Sequence, residues 1–160
     1  MSRVPDDEEL SGLPLQSEPR NRDENPAPHR EMTTIVVTAA VIEREDRFLV
    51  TRRQKGVHLE GFWEFPGGKC DRGETHAACL TRELREELDV DVAIGEELFA
   101  TTHAYPERRV ELHFLRCELL GAPAPQMGQE MRWVRRDELG ALRFPPADAE
   151  LIRLLRGEQG

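Results

Sequence analysis

The sequence predicts an α+β fold, in which apolar strands, one long amphipathic helix, further strands and a closing helix follow one another along 160 residues. Three observations carry this expectation. Strand-like runs lie on both sides of the long helix without regular βα alternation, which argues against a repeated βαβ sheet. Thr75–Leu88 repeats its apolar residues at helical period behind a capping threonine. The aliphatic residues concentrate beyond position 31, where they suffice for one domain core.

Thr33–Ile42 is β-branched and apolar enough for a buried strand, and Glu43–Arg47 reads as a charged turn. Phe48–Thr51 returns as a second strand, and Arg52–Gly61 is a loop. Phe62–Phe65 is a short aromatic strand ended by Pro66-Gly67-Gly68, where the glycines permit close backbone approach or positive φ. The long helix follows, with Ala77, Leu80, Leu84 and Leu88 as its apolar stripe. Val90–Ile94 and Leu98–Ala104 are separate strand candidates. Val110, Leu112 and Phe114 alternate with Glu111 and His113, the period of a half-buried strand. Met131–Val134 is another short strand, and Asp148–Arg156 closes the chain as an amphipathic helix. Trp63 and Phe65 are expected in the core, His103 and His113 on strand faces, and Cys79 as a small helix-packing residue.

Residues 1–31 hold five of the eleven prolines and eight acids against four arginines, without apolar periodicity. They read as a disordered acidic tail, and residues 32–160 as the folded domain. A net charge of −9 argues against stable nucleic-acid binding, which needs a basic surface. The apolar run at 35–42 is far short of the roughly 20 residues of a membrane helix, and the acidic start has no apolar signal region. The expectation is a cytoplasmic protein. Three cysteines (Cys70, Cys79 and Cys117) make no CxxC pair, so neither a disulfide framework nor a cysteine zinc site is expected.

The chemistry concentrates on the long helix. At about 100° per residue, Glu83, Glu86 and Glu87 share an arc beside the apolar stripe. Like charges at this spacing weaken a bare helix, and Arg82 and Arg85 relieve only part of that. An isolated acidic run would read as a solvated face. Beginning next to the core and behind a glycine pair, it suits a hard cation with positions left for phosphate oxygens.

Gly68, five residues, Glu74, seven residues and Arg82-Glu83-Leu84-Arg85-Glu86-Glu87-Leu88-Asp89-Val90 resemble the signature box of the Nudix hydrolases at every fixed position but one. Asp89 stands where the family has glycine. Val50-Thr51-Arg52-Arg53, Trp63 to Lys69, and Phe144-Pro145-Pro146-Ala147-Asp148 resemble the MutT-type subgroup. The resemblance covers about 35–156.

It implies an αβα sandwich around a mixed sheet. It also implies hydrolysis of nucleoside triphosphates to monophosphate and pyrophosphate, dependent on Mg²⁺ with Mn²⁺ as a substitute. The substrates implied are oxidised or non-canonical nucleotides. By the same resemblance, Glu83, Glu86, Glu87 and the Gly67 carbonyl hold metal, Glu83 activates water, and Arg82 orients carboxylates. Gly68 and Glu74 support the motif, and Arg53, Tyr105 and Asp148 meet the nucleotide. An ionised Asp148 only accepts hydrogen bonds, which favours amino or N–H donors and makes a cytidine triphosphate a rival substrate. The subgroup's late glutamate is replaced by Met127, a poor partner for a hard cation, so Glu130 is expected to complete the site from an altered loop. ADP-ribose or dinucleoside polyphosphate hydrolysis and a non-catalytic nucleotide-binding module are the alternatives. Monomer and homodimer stay open.

Overall fold

Strand β1 (Thr33–Arg44) is buried on both faces from Thr38 to Ile42, as its unbroken aliphatic run requires of a central strand. The computed structural model describes residues 33–157, so the expected tail at 1–31 lies outside the described residues. Residues 34–105 and 109–157 form one unit. A tight turn with positive φ at Glu45 and Asp46 sends β1 into β2 (Arg47–Arg52). β3 (Trp63–Glu64) and β4 (Gly67–Lys69) follow, then helix α1 (His76–Leu88), β5 (Val92–Ala104), β6 (Arg108–Leu119) and β7 (Met131–Arg135). Two 3₁₀ turns (Arg136–Ala141 and Pro146–Asp148) lead into α2 (Ala149–Leu155).

The strands make one mixed sheet with the path β3-β2-β1-β6-β5, β4 pairing with β1 and β7 with β2. β1 changes partner along its length. Its residues 37–39 oppose Lys69, Gly68 and Gly67, and its end at Glu43 and Arg44 opposes β2. Alternate residues feed two cores. Val41, Val50, Trp63, Phe65 and Phe114 pack with Leu151, Ile152 and Leu155 of α2 on one face. Ala40, Ile42, Leu49 and Leu115 pack with Leu80, Leu84 and Leu88 of α1 on the other. The result is the expected helix–sheet–helix sandwich.

Four details differ from the sequence reading. Gly67-Gly68-Lys69, expected only to end the aromatic strand, is itself a strand paired with β1. The two candidates at 90–94 and 98–104 are one strand, because irregularities around Glu97 interrupt the apolar period without ending the pairing. Ala77 is exposed, and Cys79 takes its place in the buried stripe. Cys70 and Cys79 form a disulfide, contrary to the expectation from their spacing. The Asp71 and Glu74 backbones close a turn ahead of α1, which brings the two Cα atoms to 5.1 Å. Cys117 is the free thiol among the described residues, and burial pushes it up to about 12.

Candidate active site

Helix α1 begins where the Thr75 hydroxyl accepts from the Ala78 N–H at 3.1 Å. It ends at Asp89, whose φ of 50° and ψ of 46° lie in the left-handed region. The carbonyls of its last turn are met by the following loop: Leu88 accepts from Ala124 N–H, and Glu87 from Gln126 N–H and the Gln129 side chain. Both helix ends are thus held, which sets the height of the carboxylates along the sheet.

Arg82 organises the acidic face. Its Nε and Nη2 donate to the two oxygens of Glu74 at 2.7 and 2.8 Å, a bidentate pair. Nη2 also reaches the Lys69 carbonyl at 3.1 Å, tying the helix to β4. Nη1 donates to Glu83 at 3.1 Å and to Glu86 at 3.3 Å. The Arg82 guanidinium, with the Asp71 N–H, holds the Glu74 carboxyl down at about 2. The glycines of β4 serve close approach. A Cβ on Gly67 would stand 2.0 Å from the Thr38 carbonyl oxygen, and one on Gly68 2.2 Å from Glu83 Oε1.

A cavity of about 420 Å³ opens beside this helix. Arg53, Glu64 and Glu87 form part of its wall, and Gly67 and Gly68 line it alongside β1. Asp148 and Pro145 close another part, and Leu112, Phe114, His103 and Tyr105 supply an apolar and aromatic side. A second cavity of about 190 Å³ shares Arg53, Glu64 and Glu87, and is bounded by Met127 and Gln129. Arg53 donates to Glu64 at 2.9 Å and to the His58 carbonyl, so its guanidinium is fixed between loop and strand.

The carboxyls here hold their protons unusually well. Burial, then repulsion from Glu64 and Glu83, pushes Glu87 up to about 8, although the Gly67 N–H bonded to it pulls the other way. Glu83 and Glu64 are raised, chiefly by burial. Asp148 is pushed up to about 7 by burial and by Glu64. A carboxyl so raised can carry a proton near neutral pH, and in that form it donates as well as accepts.

The predicted residues do not all converge. Arg82, Glu83, Glu86 and Glu74 form one linked cluster, and Arg53, Gly67, Gly68, Glu87, Tyr105 and Asp148 line the large cavity. Glu130 does neither. Its carboxylate lies 3.3 Å from both Arg52 and Arg132 on the surface, and the position beside Glu64 and Glu87 belongs to Met127. β7 begins immediately after Glu130, and the Arg52 N–H bond to the Glu130 carbonyl ties its backbone to β2. Glu64 is the residue the sequence reading passed over. An acid between Trp63 and Phe65, both buried, was its available signal.

A family model for the NUDIX domain matches residues 37–154. The chain belongs to the Nudix family. As a Nudix hydrolase it acts on phosphoric anhydrides. An 8-oxo-dGTP diphosphatase of Haemophilus influenzae is 40% identical over 127 residues, covering 78% of this chain and 93% of that protein. A CTP pyrophosphohydrolase of Escherichia coli is 34% identical over 124 residues, covering 76% and 90%. The solution structure of the E. coli ORF135 protein superposes with a TM-score of 0.71 at 31% identity, covering 79% of this chain and 91% of that one.

Nudix hydrolases generally need a divalent metal. The residues of this Nudix site fit one. Glu83, Glu86 and Glu87 offer hard oxygen donors, and the first and last of the three resist ionisation where no cation offsets their burial. Gly68 keeps clear the space a side chain would take from the Glu83 carboxylate.

Proposed function

We propose that this Nudix hydrolase converts nucleoside triphosphates to nucleoside monophosphate and pyrophosphate, with oxidised or otherwise non-canonical bases as preferred substrates. The supporting observation is a single cavity with Glu87, Glu64 and Arg53 at one wall and a buried Asp148 at another. Phosphates would lie toward the α1 carboxylates and the base toward Asp148, with Tyr105 beside it. Asp148 would read the base edge as donor and acceptor together, as an amide does. Arg53 would take part of the phosphate charge once Glu64 yields it.

Glu83, Glu86, Glu87 and the Gly67 carbonyl would hold Mg²⁺, or Mn²⁺ in its place. When bound, the cation neutralises phosphate oxygens and makes nearby water more acidic. Glu83, held by Arg82, would accept the proton of the attacking water. One P–O bond forms to that water and one anhydride bond breaks, so the products account for all atoms of substrate and water. Arg82 and Glu74 position these groups. Residues 32–160 would carry the activity, and removal of 1–31 would leave kcat within about twofold, since that segment lacks apolar surface to join a core. The setting would be the cytoplasmic nucleotide pool. No described helix is long and apolar enough to cross a membrane.

A second reading is preference for CTP or a modified dCTP; its CTP part has support in the CTP pyrophosphohydrolase of E. coli named above. Nucleoside monophosphate formation, followed by chromatography with 8-oxo-dGTP, dGTP, CTP, 5-methyl-dCTP and ADP-ribose, separates the readings, since ADP-ribose yields AMP and ribose phosphate without pyrophosphate. The highest kcat/KM on 8-oxo-dGTP, lost on removal of divalent metal and in Glu86→Gln, is the expected result. CTP in first place would install the second reading, and ADP-ribose in first place would overturn both.

A further inference from the structure

The face of β6 turned away from the cavity carries a second group of metal-ligating side chains. Val110, Leu112 and Phe114 line the cavity, so Glu111 and His113 alternate onto the opposite face, toward α1. There His76, the first residue of α1, lies ring to ring with His113, centroids 4.0 Å apart. Glu97 comes from the irregular stretch of β5, where extra residues re-aim a side chain. One ligand atom from each of His76, Glu97 and His113 falls within 4.8 Å of the others.

His113 decides the chemistry. Its Nδ1 lies 2.8 Å from a Glu97 oxygen and its Nε2 3.4 Å from a Glu111 oxygen. A neutral imidazole has one N–H and one lone pair, so it can donate to only one of two carboxylates. The other nitrogen needs a second proton or a cation in that proton's place. The stacked ring of His76 supplies a further nitrogen donor at that point, which a simple imidazolium bridge does not use.

We propose that His76, Glu97 and His113 form a binding site for a divalent transition cation of the Zn²⁺ class, with Glu111 orienting His113. Imidazole with carboxylate suits this class better than Mg²⁺, which prefers oxygen and water. Metal–ligand distances of about 2.0–2.2 Å at a tetrahedral angle place N and O about 3.4 Å apart, so the Glu97–His113 pair has only to open by about half an ångström. Glu111 on the remaining nitrogen is the outer carboxylate that fixes the tautomer of a metal-bound histidine. The ion would clamp the start of α1 to β5 and β6.

The test titrates the chelator-treated full chain with ZnCl₂ by calorimetry in millimolar Mg²⁺, which competes for the oxygen donors of the helix, and with CoCl₂ by visible absorption. The expected result is one equivalent of Zn²⁺ bound despite Mg²⁺, and the intense visible bands of tetrahedral Co²⁺. His76→Gln with His113→Gln should weaken Zn²⁺ binding at least tenfold while pyrophosphate release in Mg²⁺ stays within twofold. Glu97→Gln, at a half-exposed side chain, should weaken it in the same direction and decides the matter if the double variant fails to fold. Cys70→Ser with Cys79→Ser, which removes both sulfurs of the other group, Cys70, Glu74 and Cys79, joined as a disulfide in the structure, should leave it unchanged. No Zn²⁺ uptake by the wild type would overturn the proposal. So would wild-type affinity in the folded histidine double variant or in Glu97→Gln, or loss of binding in the variant that lacks both Cys70 and Cys79 sulfurs.

Discussion

Replacing Gly68 by alanine should uncouple turnover from folding. The new Cβ would stand 2.2 Å from Glu83 Oε1 and 2.3 Å from its Cδ, where nonbonded contact needs well over 3 Å. Gly68 is held by its pairing with Thr38, so the Glu83 carboxylate must retreat by roughly 1 Å or more. That movement breaks its 3.1 Å contact with Arg82 and shifts the carboxylate proposed to accept the proton of water. Overpacking of this kind costs about 1–3 kcal/mol, and a misplacement of about 1 Å can cost on the order of 10²-fold in rate. The expected variant is folded, somewhat less stable, and slower by about 10²-fold, with a higher Mg²⁺ requirement. Urea unfolding and pyrophosphate release at a series of Mg²⁺ concentrations measure both quantities. Gly67→Ala is the contrast. Its Cβ would meet the Thr38 carbonyl at 2.0 Å, backbone against backbone, so loss of fold is expected there. A folded Gly68→Ala protein with kcat within about threefold of wild type would refute the assignment of Glu83.

Asp89→Gly should raise the urea midpoint, because Asp89 holds a left-handed conformation at the negative end of α1; a gain of about 0.5–1.5 kcal/mol is expected, net of the greater freedom of unfolded glycine. Asp148→Asn should stabilise the protein at pH 8 and change little at pH 4. A carboxyl raised to about 7 when folded favours the fold only while protonated, so its contribution is present near pH 4 and is lost as pH rises through about 7. Three pK units set a ceiling of about 4 kcal/mol, read from unfolding midpoints across that range in metal-free buffer. The same variant should narrow any difference in base preference between pH 6 and pH 8, and relative kcat/KM values independent of pH in the wild type would remove Asp148 from recognition. Reducing the Cys70–Cys79 bond should lower stability by up to about 3 kcal/mol, the chain-entropy value for so short a loop; Cys70→Ser, with no bond to lose, should not respond to reductant.

The residues that declare the family lie close together in sequence, and that is why they were legible. Gly68, Glu74, Arg82, Glu83, Glu86 and Glu87 sit on one short strand, the turn after it and one helix, where spacing dictates which helix side chains share a face. The αβα layering was legible for a related reason. β1 is apolar on both faces and both helices are apolar on one, so the sheet has to be covered twice.

Tertiary packing decided the rest. Glu64 and Arg53 meet because β2 and β3 pair antiparallel with Thr51 opposite Glu64, a register set by the core on the far side of Trp63. Asp148 changes character because its burial, absent from any local pattern, raises its carboxyl well above the usual range. Glu130 stays with Arg52 and Arg132 because β7 starts one residue later, so the count of residues to Trp133 alone could not place it. Cys70 with Cys79, and His76 with Glu97 and His113, were brought together by a turn and by strand irregularities whose geometry residue spacing does not encode. A one-dimensional pattern fixes which groups share an element, but contacts between elements depend on register and burial, and these are settled only when both faces of the sheet are filled.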